Sequence, residues 1–308
     1  MGKIAFVFAG QGAQYAGMGK ELYETSPAAK KIFDQAEKIR PGTIETCFAG
    51  TKEALSRTEN TQPCLMAVDA ACAAALMEAG VEADGLAGFS LGEIAALPFA
   101  GLLDFEQAFS LVNERARLMQ RCAEQIESGM VAVLKLNDET VEALCAAQGA
   151  YPVNYNCPGQ VVCALQTGKI PAFTDAVKAA GGRALPLAVN GGFHSPFMKE
   201  AAQGLRVYAD SLAFGQPKLP LYADATCAAY TAETAAELLG RQVESPVRWT
   251  ELIRAMQADG FTDFIEVGAG HTLSGLIEKI GGAAHSTRVE DATTLADTVA
   301  YYKEGTLC

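Results

Sequence analysis

Ser90 stands between two glycines in Gly88-Phe89-Ser90-Leu91-Gly92, after an apolar run that ends at Ala87 and before a helical pattern that starts near Leu91. Small residues on either side of a serine at a strand-to-helix corner permit a strained turn that pushes the hydroxyl out of the fold, as in a nucleophile elbow. The same serine reads equally well as a helix N-cap. A serine hydroxyl is a weak nucleophile and needs an adjacent base. The chain offers only three histidines, His194, His271 and His285. His194 lies in the glycine-flanked stretch Asn190 to Met198, which returns from a small inserted segment to the main one. A base at the mouth of an interdomain cleft is well placed for chemistry, so His194 ranks first. His271 follows Glu266-Val-Gly-Ala-Gly and reads as a helix-start residue, and His285 follows Gly-Gly-Ala-Ala and reads as exposed.

A cation is the next candidate. From Asp104 to Glu124 the apolar stripe Phe105, Ala108, Phe109, Val112, Ala116, Met119, Cys122 marks one face of a helix, with Asp104 available as its N-cap. Arg115 falls on or beside that face, whereas Glu114, Arg117 and Arg121 point to solvent. A guanidinium at the edge of a core requires a carboxylate, and a planar bidentate pair suits it best. Either an internal acid or the free carboxylate of a substrate beside Ser90 would satisfy it.

The elements that must position these groups follow from the hydrophobic rhythm. Lys3 to Ala9 reads as a buried strand entering the loop Gly10-Gln11-Gly12-Ala13-Gln14. Tyr15 occupies the place of the third glycine of a dinucleotide fingerprint, and no phosphate-binding P-loop is present, so a nucleotide cofactor is not expected. Gln62 to Ala79 is an alanine-rich helix. Met130 to Leu136, Asp138 to Gln148, Val153 to Tyr155, Val161 to Leu165, Ile170 to Ala180 and Arg183 to Val189 run strand, helix, strand, strand, helix, strand, a ferredoxin-like β-α-β-β-α-β order. The expected architecture is therefore α/β: a large α/β-hydrolase-like domain of residues 1–125 and 191–308 around a mainly parallel sheet, with a ferredoxin-like subdomain inserted at 126–190. Leu219 to Ala223 and Phe261 to Val267 are expected to join the large sheet.

Composition narrows the function classes. A formal net charge of −12 argues against a general binder of nucleic acid or anionic membrane. Nine cysteines without a C-x-x-C pair, several of them (Cys64, Cys72, Cys122, Cys145) inside apolar helical patterns, read as buried thiols of a reducing compartment. No run of about 18 apolar residues occurs. The N-terminal apolar stretch is too short for a signal peptide, and Phe6 breaks the myristoylation pattern. The expectation is a soluble cytoplasmic protein. No exposed apolar stripe argues for a partner subunit, so the default is a monomer.

Eight stretches occur in one order along nearly the whole chain: Phe8 to Gln14, Thr61 to Pro63, Gly88 to Glu93, Arg115 to Gln120, Asn154 to Val162, Phe193 to Met198, Gln242 to Thr250 and Glu266 to Leu276. Together they resemble the malonyl-CoA:acyl-carrier-protein transacylases, acyltransferases of fatty-acid and polyketide synthesis. The resemblance implies that Ser90 becomes malonylated from malonyl-CoA and passes the group to the phosphopantetheine thiol of holo acyl carrier protein, without a further cofactor. It makes His194 the general base, oriented by a backbone carbonyl near Gln242 instead of an acidic residue. It assigns the oxyanion hole to the backbone N–H groups of Gln11 and Leu91, pairs Arg115 with the malonyl carboxylate, and lines the pocket with Gln62 and Gln242. Phe193 matches the malonyl-selective form of its loop. Phe89 departs from the family pattern, where histidine is usual, and this puts the tuning of the site in question. An acidic chain meeting an acidic carrier needs a local basic patch, for which Lys178, Arg183, Lys199, Arg206, Arg241 and Arg248 are candidates.

Three rivals remain at this level. An α/β-hydrolase acting on esters also uses G-x-S-x-G but takes a late histidine, His271 or His285. A free-standing acyltransferase serving a polyketide synthase would share the chemistry and differ in pathway. A non-enzymatic carrier-binding scaffold is disfavoured by the intact Ser90, His194 and Arg115.

Overall fold

The computed structural model describes residues 2–189 and 191–304, with Glu304 described by its backbone alone, so Asn190 of the His194 loop lies outside the described residues. Nine strands form two sheets among these residues. β1 (Lys3–Phe8), β2 (Gly85–Gly88), β7 (Leu221–Tyr222), β8 (Phe261–Val267) and β9 (His285–Val289) make a wholly parallel sheet in the order β7-β2-β1-β8-β9. β3 (Ser128–Leu134), β4 (Tyr151–Cys157), β5 (Gln160–Gln166) and β6 (Arg183–Pro186) make an antiparallel sheet in the order β4-β5-β3-β6. With the helices Asp138–Gln148 and Ile170–Ala179 between its strands, the second sheet has the β-α-β-β-α-β order read from sequence.

The central strand shows why the parallel sheet is buried on both faces. Along β1, Phe6 and Phe8 belong to one apolar core, whereas Ala5 and Val7 face a second core with Trp249, Leu252 and Phe264. Alternation sends successive side chains to opposite sides, and helices cover each side, as parallel sheets require. Against the first face lies the helix Thr58–Glu78, buried over most of its circumference, with its alanines allowing close approach. The small sheet divides in the same way. Val131 and Val133 pack with Phe173 and Val177 under the subdomain's own helices, whereas Met130, Ala132, Val162 and Ala164 join the large core. Its inner face is thus continuous with the main body.

Two expected elements are shorter than the pattern implied. β6 stops at Pro186 instead of running to Val189, although the Leu187 N–H still reaches the Met130 carbonyl at 2.9 Å. The stretch Leu219 to Ala223 contributes only Leu221–Tyr222, at the edge of the large sheet beside β2. Registers Phe8↔Gly88 and Phe8↔Val267 bring the carboxyl ends of β1, β2 and β8 level. Ligands of open parallel sheets bind there, and from these ends spring the Gln11 loop, the Ser90 corner and the Gly268 turn.

Candidate active site

The corner after β2 is as tight as its composition implied. Ser90 has φ 55° and ψ −98°, a conformation rare for a residue with a side chain, and it is followed at once by the helix Leu91–Ala100. Both flanking glycines are set by proximity and not by positive φ. A Cβ on Gly88 would fall 2.0 Å from Gly92 carbon, and one on Gly92 would fall 2.1 Å from the Phe8 carbonyl oxygen. The strained turn is tied down by the Ser90 N–H, which donates to Asp224 Oδ2 at 2.6 Å, and by the Ser90 carbonyl, which accepts from Gln242 Nε2 at 2.7 Å. No side-chain capping bond forms at this helix start, so the hydroxyl is not an N-cap.

Instead it meets a base and a cation. Ser90 Oγ lies 2.6 Å from His194 Nε2 and accepts from Arg115 Nη2 at 3.0 Å. His194 also has positive φ, 61°, held by the loop around it. The Gly192 N–H donates to Ser128 Oγ at 2.8 Å, and the Ser195 hydroxyl donates to the Gly192 carbonyl at 2.6 Å. The other ring nitrogen, Nδ1, lies 3.0 Å from the Gln242 carbonyl and 3.2 Å from the Ser245 carbonyl. Both partners are acceptors only, so Nδ1 carries the proton and Nε2 is left to accept from the Ser90 hydroxyl. Burial, and then the nearby Arg115 charge, lower the imidazole from its usual 6.5 to about 4; the two carbonyls pull the other way. His194 is therefore neutral near pH 7.

Arg115 is buried in the helix Phe105–Gln125, which opens on an Asp104–Gln107 capping box. Its Nη1 donates to Gln62 Oε1 at 2.7 Å, and its Nη2 donates to Gln242 Oε1 at 2.8 Å as well as to Ser90. The remaining Nε–H is buried without a partner among the described residues. Among the described residues no carboxylate touches the guanidinium. Desolvation lowers it to about 10, opposed by the more distant Glu93, Asp224 and Tyr230. A buried cation bonded solely to neutral oxygens is primed for an anion.

The hydroxyl opens on a cavity of about 90 Å³ between the sheets, lined by Gln11, Phe89, Met119, Phe193 and His194 from the large body and by Met130, Asn154 and Val162 from the small one. Gln11 and Leu91 flank Ser90 from the loop after β1 and from the first helical position, and neither backbone N–H has a partner among the described residues. Ser90, His194, Arg115, Gln62 and Gln242 thus form one hydrogen-bonded cluster, with Gln11 and Leu91 at its rim. His271 precedes the helix Thr272–Ile280, and His285 stacks on Tyr301 with centroids 3.8 Å apart. Neither joins Ser90, which removes the geometry that a hydrolase with a late histidine needs.

A model of the acyl transferase domain matches residues 5–297. The chain belongs to the acyl transferase family. Among its curated relatives is the malonyl CoA-acyl carrier protein transacylase of Bacillus subtilis, 37% identical over 99% of this chain and 98% of the relative. The enzyme of the same name from Escherichia coli strain K12 is 34% identical over 96% and 98%. The crystal structure of the Clostridium perfringens malonyl CoA-acyl carrier protein transacylase superposes with a TM-score of 0.95 at 32% identity, covering 99% of this chain and 98% of that one. A malonyl-transacylase solved in complex with its type II PKS acyl-carrier protein superposes with a TM-score of 0.93 at 35% identity, covering 97% and 99%. This acyl transferase therefore has the two-subdomain α/β fold of those structures.

Sequence reasoning missed the buried acids beneath the acyl transferase corner. Asp224, which holds the Ser90 N–H, in turn donates its own N–H to Glu93 Oε2 at 2.7 Å, and the Tyr230 hydroxyl donates to Glu93 Oε1. Burial raises both carboxyls, and Glu93 raises Asp224 further. Glu93 stood in a quoted motif. Asp224 lies just past a two-residue strand in a stretch without periodicity, so nothing local marked it.

Proposed function

We propose that this acyl transferase moves a malonyl group from malonyl-CoA to the phosphopantetheine thiol of holo acyl carrier protein through a malonyl ester on Ser90. The observation that carries the reading is the Ser90 hydroxyl held at once by a neutral imidazole at 2.6 Å and a buried, carboxylate-free guanidinium at 3.0 Å. Ser90 Oγ attacks the thioester carbonyl carbon while its proton passes to His194 Nε2. The tetrahedral oxyanion is received by the N–H groups of Gln11 and Leu91, a role in which one donor contributes about 3–4 kcal/mol to the barrier. Collapse breaks the carbon–sulfur bond, and the CoA thiolate leaves with the proton from His194. The carrier's thiol then gives its proton to His194 and attacks the malonyl ester, and Ser90 departs with that proton returned.

Arg115 pairs with the malonyl carboxylate, exchanging its bond to Ser90 for a charged one, while Gln62 and Gln242 keep its fork in plane. An acetyl group would leave the cation desolvated and unpaired, so malonyl is preferred. Residues 126–190 act as an inserted unit that closes the cleft over the catalytic unit of residues 1–125 and 191–308. The reaction needs no cofactor beyond malonyl-CoA as substrate, and the enzyme acts as a cytoplasmic monomer supplying fatty-acid synthesis. Supply of a polyketide synthase would use the same chemistry, and the complex of a similar malonyl-transacylase with its type II PKS acyl-carrier protein keeps that second reading in view.

Intact-protein mass measurement after brief incubation with malonyl-CoA or acetyl-CoA tests the reading. One malonyl adduct on the native chain, none on Ser90→Ala and little from acetyl-CoA is the expected result. No adduct from either donor would sink it.

A further inference from the structure

The polypeptide passes between the large body and the small sheet twice, and both passages meet at Ser128. It enters through Ile126 and Glu127, after the helix Phe105–Gln125 that carries Arg115, and Ser128 is the first residue of β3. It returns past Pro186, the last residue of β6, into the segment that carries His194. Ser128 clasps the two passages together. Its carbonyl accepts from the Gly191 N–H at 3.2 Å, its hydroxyl accepts from the Gly192 N–H at 2.8 Å, and that hydroxyl donates to the Ile126 carbonyl at 3.2 Å. A hydroxyl has one proton to give, so directing it to Ile126 leaves the lone pairs for Gly192. Ser128 is 7% exposed, so water does not readily replace it as the acceptor.

Two residues separate Gly192 from His194, and the link between them is stiff. The Gly192 carbonyl accepts from Ser195 Oγ at 2.6 Å, and that oxygen accepts from the Phe197 N–H at 3.3 Å. A Cβ on Gly192 would come within 2.5 Å of the Phe197 ring and 3.3 Å of Ala164 Cβ in β5, so the loop is wedged there. His194 itself has φ 61°, a conformation that persists only where the surroundings over-determine it. The Gln242 and Ser245 carbonyls orient its ring through Nδ1. They do not hold its backbone, and the reach of Nε2 toward Ser90 depends on where that backbone stands.

Taking Ser90 as the nucleophile of the transfer reading above, we infer that Ser128 is a positioning residue for the reaction, its hydroxyl fixing the His194 loop so that Nε2 stays within proton-transfer distance of Ser90 Oγ. It touches neither the substrate nor the reacting atoms and acts through His194. The same residue opens an inner strand of the small sheet, whose Met130 lines the chamber, so the place of the base is tied to the place of the chamber wall.

The test measures Ser90 acylation by malonyl-CoA for Ser128→Ala and Ser128→Thr, each in the native and the His194→Ala background. Loss of the hydroxyl orphans the Gly192 N–H and releases the base. Ser128→Ala should lower the maximal acylation rate roughly 10- to 100-fold, the scale of a misplaced catalytic group. The malonyl-CoA concentration at half-maximal rate should not change, because Arg115 and the chamber keep their places. Ser128→Thr, which retains the hydroxyl, should match the native rate. In the His194→Ala background Ser128→Ala should cost nothing further, since a residue acting through His194 has nothing left to act on. A smaller folded fraction would lower both backgrounds alike, so the cycle separates it from positioning. Equal losses in the two backgrounds, a shifted half-maximal concentration with an unchanged maximal rate, a threonine variant as slow as the alanine one, or no loss at all would overturn the assignment. A fluorophosphonate, which phosphonylates an activated serine with loss of fluoride whatever its natural donor, repeats the comparison without malonyl-CoA. Labelling of Ser90 that slows with Ser128→Ala, on a chain that malonyl-CoA does not acylate, would sink the transfer reading and uphold the positioning role.

Discussion

The Arg115 guanidinium donates to the Ser90 hydroxyl across 3.0 Å, so the cation that would recognise the acyl group already touches the nucleophile. Its other bonds, to Gln62 and Gln242, go to neutral oxygens. On the proposed reading, substrate recognition and nucleophile activation share one side chain. A positive charge at hydrogen-bond distance favours the developing alkoxide, and on that reading the same charge would disfavour acyl groups that leave it unpaired.

Arg115→Ala should consequently lower the rate of Ser90 malonylation about 10- to 150-fold, the range of one hydrogen bond to a charged group. Acetylation should fall much less, so the malonyl-to-acetyl ratio collapses. Stopped incubations read by intact mass give both rates. A ratio unchanged from the native chain would remove Arg115 from recognition.

The depressed His194 value sets a pH dependence whose sign is definite. Burial, with the Arg115 charge second, lowers the imidazole from 6.5 to about 4, so the base is neutral and competent above that value. The kcat/KM for acylation should stay level from neutral pH down to about 5 and fall as the ring takes a proton near 4. Stability moves in the same direction. An unfolded histidine binds its proton below about 6.5, the folded one only near 4, so this contribution is complete above 6.5 and is lost as pH falls through that window, on the order of 3 kcal/mol in all. Acylation that halves near pH 6.5 would show that the ring is not held as described.

Asp224 anchors the strained corner through the Ser90 N–H at 2.6 Å and lies 3.4 Å from Gln242 Nε2. Asp224→Ala would orphan a buried N–H, at a cost of about 1–3 kcal/mol, and should lower both the melting temperature and the acylation rate. Burial and Glu93 push the Asp224 carboxyl toward its neutral form, so the neutral amide of Asp224→Asn should restore most of the loss. Comparing kcat and melting temperature for the two variants decides it. Equal damage from both would mean that the negative charge, and not the acceptor, is what the corner needs.

What was legible in the sequence was local. Gly88-x-Ser90-x-Gly92 announced a corner because no side chain fits at either glycine, and the apolar stripe of the Asp104 helix placed Arg115 on its buried face because helical spacing is regular. The order of the small sheet followed from alternation broken by two helices. Long-range partners were not legible. Asp224 reaches Ser90 from 134 positions away, and Ser245 reaches His194 from 51. Phe89, marked as a departure, packs its ring edgewise on Trp249 at 5.5 Å between centroids, and no pattern near either residue could have paired them.

The carrier surface is the least local feature, and pairing sorts its candidates. Lys178 lies 3.7 Å from Asp175, Arg206 lies 2.8 Å from Asp210, and Arg248 pairs with Glu251, so these three charges are already partly compensated. Arg183, Lys199 and Arg241 form no ion pair among the described residues. Arg183 opens β6 of the small sheet, which leads into the cavity-lining Leu187 and Val189, and Lys199 begins the helix that follows the His194 loop. The double variant Arg183→Glu with Lys199→Glu should raise KM for holo carrier severalfold at low salt. The difference should shrink well above about 0.1 M salt, where the screening length falls below about 10 Å. Ser90 malonylation by malonyl-CoA should be untouched, since the first half-reaction meets no carrier. If donor and acceptor kinetics suffer alike, the charges act on the cleft itself, and docking must be sought on another face.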